Sequence, residues 1–139
     1  MARRPKEPLW LSYPILIAIH DDLLRQYGGL VGVRDEGLVL SALARPQHRW
    51  SYSEAPDLHE CAAAYGFGLA KNHGFSDGNK RTAFQAMYTF LGLNGFELTA
   101  PEPEAVAVMI ALASSELSEP KLADWLRANT KAIRRRTKG

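Results

Sequence analysis

A compact all-α domain, with at most a short β-hairpin as a flap, is what this sequence predicts. Three observations carry that expectation. Apolar residues recur at helical spacing along nearly the whole chain, and the periodic segments are punctuated by caps and stops. The length of 139 residues, 46% of them hydrophobic, suits one globular domain with no room for a second of similar size.

The elements follow in order. Ser12 caps a first helix with Pro14 in its opening turn; Ile15, Ile19 and Leu23 form its stripe, joined by Leu16, Leu24 and Tyr27, until Gly28-Gly29 stop it. Asp35 caps a short helix from Leu38 to Leu43 that Pro46 is expected to end, since proline supplies no N–H. Residues 46–56 fit neither period and are expected as a loop or irregular hairpin. Asp57 and Glu60 have capping-box spacing. The helix behind them, residues 61–70, is small and apolar on most faces, so Ala62, Ala63, Ala64, Gly66 and Gly68 let neighbours approach closely. Another helix runs from about 79 to 93, with Phe84, Met87, Tyr88 and Leu91 inward and Asn94-Gly95 at its end. A short extended piece at 96–98 precedes Pro101 and Pro103, and two helices at about 103–116 and 119–133 complete the chain. Ser118 caps the last, with Leu122, Trp125 and Leu126 inward.

Composition excludes several classes. The charged fraction of 23% and the apolar fraction are those of a soluble globular protein rather than a disordered or low-complexity chain. A lone Cys61 rules out an internal disulfide and points to a reducing compartment. No apolar run approaches the ~18 residues of a membrane span, and the basic start lacks a signal-peptide core. A cytoplasmic location is expected. The net charge of +2 is unevenly placed: residues 1–7 carry +2, residues 131–139 carry +5, and the body from 8 to 130 carries −5. The expected organisation is a basic segment at 1–8, the domain at 9–130 and a basic tail at 131–139.

One stretch behaves neither as core nor as an ordinary connection. Residues 73–81 read His-Gly-Phe-Ser-Asp-Gly-Asn-Lys-Arg between two apolar helices. Gly78 and Asn79 open the second helix, whose free N–H groups and positive dipole end favour an anion, above all a phosphate. Lys80 and Arg81 lie in its first turn, where cations are unfavourable unless an anion compensates. Arg81 offers a planar fork for phosphate oxygens and Lys80 a mobile point charge. Asp77 is a hard oxygen ligand suited to Mg²⁺. His73 can accept a proton from a hydroxyl near neutral pH. Phe75 would anchor the loop. Each residue alone has an ordinary explanation as a cap or surface group. Chance assembly of His, Phe, Asp, Asn and Arg at these offsets is on the order of one in a million per position at average composition.

His73-Gly-Phe-Ser-Asp-Gly-Asn-Lys-Arg81 resembles the signature of the Fic/Doc family in its Doc (death-on-curing) form. The resemblance extends to His20-Asp21, Gln26-Tyr27-Gly28-Gly29-Leu30, Gly32-Val33-Arg34-Asp35 and the run from Lys80 through Leu91 to Asn94-Gly95. It covers roughly residues 9–130 and implies the family's helical fold. Two departures separate this chain from the AMP-transferring Fic pattern. Lys80 stands where the second Gly of Gly-Asn-Gly-Arg would be, and Phe84 where a second Arg would follow. Doc toxins share the Lys, and the resemblance therefore implies a protein kinase using ATP and Mg²⁺, with elongation factor Tu as substrate.

In that scheme His73 is the base on a Ser or Thr hydroxyl, and Asp77 holds Mg²⁺ or orients the nucleophile. Gly78 and Asn79 cradle phosphate, while Lys80 and Arg81 neutralise its charge. The 46–56 segment, with Trp50 and Tyr52, corresponds to the family's flap. A self-inhibiting Ser/Thr-x-x-x-Glu-Gly/Asn motif is matched in spacing only by Ser115 and Glu119, and Pro120 follows. Inhibition is thus expected in trans, from a small antitoxin packing between helices. No membrane or nucleic-acid partner is expected. Two alternatives stay open: AMP transfer, and a non-catalytic module binding an antitoxin or nucleic acid.

Overall fold

The computed structural model describes residues 5–134. Among them six helices and one two-stranded sheet succeed one another, and the expected all-α class holds. Helix α1 is Tyr13–Tyr27, capped by the Ser12 hydroxyl accepting from the Ile15 N–H and ended by Gly28 at φ 78°. Its buried face is not the Ile15–Ile19–Leu23 stripe. Leu16 and His20 are the buried residues, and Ile15 is 42% exposed. Two apolar stripes one residue apart lie about 100° apart on the helix, and packing chose the second.

Helix α2, Glu36–Tyr52, begins at the Asp35 cap as expected but runs straight through Pro46. The missing N–H leaves the Ala42 carbonyl without its helical donor, a loss of about 3 kcal/mol in an isolated helix. Burial offsets it. Pro46 is itself inside, and one turn on Trp50 enters the core edge-on to Trp10, with centroids 6.2 Å apart. The loop or hairpin expected at 46–56 is therefore helical to Tyr52; Trp50 is core, and Tyr52 is 86% exposed.

Helix α3, Leu58–Asn72, is the centre of the molecule, buried from Cys61 to Gly66 and again from Gly68 to Ala70, and packed against α2, α4, α5 and α6. Asp57 caps it by accepting from the His59 N–H, but Glu60 turns to Arg127 instead of closing a capping box. Helix α4, Asn79–Leu93, buries Thr82, Ala83, Ala86, Met87, Phe90 and Leu91. Tyr88, expected inward, is 41% exposed. The Asn94 side chain closes α4 and clamps Leu9, accepting its N–H and donating to its carbonyl.

Strand β1, Phe96–Leu98, leads to α5, Glu102–Ala113, and then to α6, Glu119–Ala128. The helix expected to reach 133 stops at Ala128, because strand β2, Thr130–Ala132, pairs antiparallel with β1, Glu97 opposite Lys131. This sheet sits at the far end of the 15-residue α4 from residues 73–78, about 22 Å away, so it is not a flap. Lys131 belongs to the sheet, 3.8 Å from Glu97. Arg135, Arg136 and Lys138 of the basic tail, and Arg3 and Arg4 of the basic start, lie outside the described residues. Among the described residues no helix is long and apolar enough to cross a membrane.

Candidate active site

The loop from His73 to Gly78 joins α3 to α4, and each end is set by a left-handed residue. His73 ends α3 at φ 52°, ψ 45°, and Gly78 opens α4 at φ 75°. The imidazole of His73 is carried on the surface, while its carbonyl accepts from the Arg34 Nε at 2.9 Å. Phe75 is buried and anchors the loop, as expected. Asn79 folds back on it: its amide oxygen accepts from the Phe75 N–H at 3.1 Å and its Nδ2 donates to the Phe75 carbonyl at 3.0 Å. The Asn79 side chain thus shapes the loop, so that only its backbone N–H is left available to an anion at the helix start.

Asp77 is held from three directions. Its Oδ2 accepts from the Leu30 N–H at 3.2 Å, its Oδ1 from the Gly78 N–H at 2.8 Å, and its carbonyl from His20 Nε2 at 2.8 Å. The Leu30 and Gly78 N–H groups, with a smaller contribution from the Arg81 charge, hold this exposed carboxyl below its ordinary value of 3.8. It is ionised throughout the neutral range.

The first helical hydrogen bond of α4 runs from the Thr82 N–H to the Gly78 carbonyl, so the N–H groups of Asn79, Lys80 and Arg81 precede the ladder. Cations flank them. Lys80 is exposed, and the Arg81 guanidinium lies over the Tyr27 ring, 4.3 Å from its centroid. Lys71, in the last turn of α3, is instead drawn to Ser115 and the Ala113 carbonyl at the end of α5. Within the first turn the Thr82 hydroxyl is buried with no hydrogen-bond partner among the described residues. The result is an ionised carboxylate beside a helix N-terminus and two positive side chains, an arrangement suited to a metal-bound phosphate.

The segment lying along this loop is residues 28–35, not 46–56. Gly32 accepts from the Ser76 N–H, Gly74 accepts from the Arg34 and Asp35 N–H groups, and Val33 bridges Phe75. Gly28-Gly29, read in sequence as a helix stop, also permits this approach: a β-carbon on Gly29 would meet Asp77 Oδ2 at 2.8 Å. Glu119, the spacing match to a self-inhibiting glutamate, is buried and paired with Arg45 and Arg49 of α2. Sequence reasoning placed Tyr27 on the apolar stripe of α1, whereas it is 57% exposed, and gave His20 and Arg34 no function beyond the family resemblance. Besides that resemblance, the signal for His20 was its place four residues after Leu16 on an apolar helix face.

A family model described as Fic/DOC family matches residues 10–91. The chain is 39% identical over 112 residues to the Protein kinase doc of Escherichia phage P1, across 81% of this chain and 88% of that protein. It is 48% identical over 75 residues to the Toxin Doc of Mycolicibacterium smegmatis, across 53% of this chain and 58% of that protein. With the family model spanning the loop and the helices that carry it, the chain belongs to the Fic/Doc family.

Proposed function

We propose that this protein is the toxin of a toxin–antitoxin pair and a cytoplasmic protein kinase, moving the γ-phosphoryl group of ATP to a Ser or Thr hydroxyl of a translation factor. Elongation factor Tu is the acceptor that family resemblance suggests. The observation that carries the reading is the ionised Asp77 carboxylate fixed beside the open N-terminus of α4, with Lys80 and Arg81 in its first turn. Similarity to a phage protein named as a kinase supports it.

Asp77 suits Mg²⁺, a hard ion that takes one or two carboxylates and arrives with phosphates. ATP supplies the phosphoryl group, which leaves its bridging oxygen as it bonds to the acceptor oxygen. The chain's own task is positioning and electrostatics. His73 takes the hydroxyl proton. The N–H groups of Asn79, Lys80 and Arg81, with both cationic side chains, hold phosphate oxygens as charge redistributes. Tyr27 holds the Arg81 plane. The acceptor segment would lie along residues 30–34, beside the loop. With Glu119 held in its ion pairs, restraint falls to a small antitoxin in trans.

The test is incubation of the protein, bacterial lysate and ATP labelled at either the α- or the γ-phosphate. Label should pass from the γ position to one major protein. Transfer from the α position alone would establish AMP transfer instead, and growth arrest without any transfer would favour a binding module.

A further inference from the structure

The geometry points to His20 as a positioning residue for the Asp77 turn, a role that rests on the kinase reading for its purpose but not for its contacts. His20 lies on α1, 57 residues from Asp77, and is 1% exposed. Its Nε2 is 2.8 Å from the Asp77 carbonyl oxygen. A carbonyl can only accept, so the proton sits on Nε2 and His20 donates. The ring stacks on buried Phe75, with centroids 3.9 Å apart and planes 13° from parallel. Its Nδ1 faces Asp21, 3.9 Å away and half-exposed. Gly78 sits against the same ring edge, where an added β-carbon would be 3.7 Å from Nε2.

Leucine or phenylalanine would fill this place in a purely apolar core. The hydrogen bond from the polar edge of the ring goes to the carbonyl between the carboxylate-bearing Cα of Asp77 and the N-cap Gly78. The other two holds on Asp77 come from backbone N–H groups, those of exposed Leu30 and half-buried Gly78. His20 is the buried side chain that grips the turn, and through it α1 sets both where the carboxylate points and where the first N–H groups of α4 open.

The test compares His20→Leu, which keeps apolar bulk and loses the donor, with His20→Gln, whose amide N–H reaches about as far as Nε2. In nucleotide-free protein, His20→Leu should shift the backbone amide resonances of residues 76–80, and His20→Gln should return them toward wild type. In label transfer, His20→Leu should lower turnover about tenfold to a hundredfold, the scale of a small misplacement, and His20→Gln should recover most of it. An unchanged spectrum and turnover in His20→Leu, or a glutamine variant as impaired as the leucine one, overturns the proposal. If His20→Leu does not fold, nitrogen-15 spectra of the wild-type ring decide: a protonated Nε2 supports the role, and a bare Nε2 overturns it. Failure of the kinase reading is visible separately in the wild type, as α-label transfer or none, and leaves the amide comparison intact.

Discussion

His73 holds a left-handed backbone at φ 52°, where a β-carbon costs roughly 1–2 kcal/mol. Asparagine tolerates that region better than alanine, so His73→Asn is the cleaner removal of the base. Label transfer should fall by at least the ~100-fold typical of a lost general base, with melting temperature nearly unchanged, and growth arrest on expression should be relieved. The glycine pair offers a second test. Gly28 (φ 78°) and Gly29 (φ 126°) both strain under a β-carbon, but Gly28 faces open space while Gly29 faces Asp77 Oδ2 at 2.8 Å. Both alanine variants should lose about 1–3 kcal/mol of stability, because each backbone sits in a region open essentially to glycine alone. Only Gly29→Ala should also displace the carboxylate and depress transfer; equal transfer in the two would refute the contact's importance. The residue types of this site were legible in sequence because the chemistry is contiguous from His73 to Arg81. That Asn79's side chain is used on Phe75 was not, since either orientation satisfies the same spacing.

Helices pack here through small residues on α3. A β-carbon at Gly66 would lie 2.3 Å from Met87 Sδ, and Met87 is fully buried on α4. Gly66→Ala should therefore lower stability by about 1–2 kcal/mol, the overpacking cost exceeding the helix-propensity gain. Met87→Ala in the same chain should relieve part of that loss, a non-additivity measurable by thermal or denaturant unfolding. The start of α3 is joined to α6 through Asp57, which caps the helix and accepts from the Arg127 Nε at 2.8 Å. Burial alone would raise the Asp57 carboxyl, but the Arg127 hydrogen bonds and the His59 N–H outweigh it and hold it below 3.8. Near that pH the folded protein then binds fewer protons than the unfolded chain. The stabilisation is complete above 3.8 and is lost as pH falls through the lower folded value. Melting temperature should decline in that acid range, and Asp57→Asn should flatten the decline while lowering stability at neutral pH. The caps were readable one by one from Ser12, Asp35, Asp57 and Ser118. The passage of α2 through Pro46 was not, because a local rule against proline was overruled by the burial of Trp50.

Across the whole molecule, α6 is tied to α2 by the buried Glu119 between Arg45 and Arg49. Removing one member of a fully buried pair costs about 3–5 kcal/mol; the arginines here are 44% and 41% exposed, so water takes up part of their charge. Glu119→Gln should accordingly cost about 1–3 kcal/mol and leave transfer by the folded protein unchanged. A rise in transfer would show Glu119 acting as an internal restraint. Cys61 is inert in this frame: burial pushes its thiol up to about 12. By itself the sequence determined what neighbouring residues decide together: the helical class, most caps and stops, and the composition of the 73–81 loop. Tertiary structure alone decided which stripe of α1 faces inward, that residues 28–35 rather than 46–56 lie along the loop, that the chain returns as β2, and that His20 reaches Asp77. The reason is physical. Periodicity and capping act over a turn or two of one helix, whereas these outcomes depend on which distant surfaces bury each other best, and that free energy is carried by no single segment.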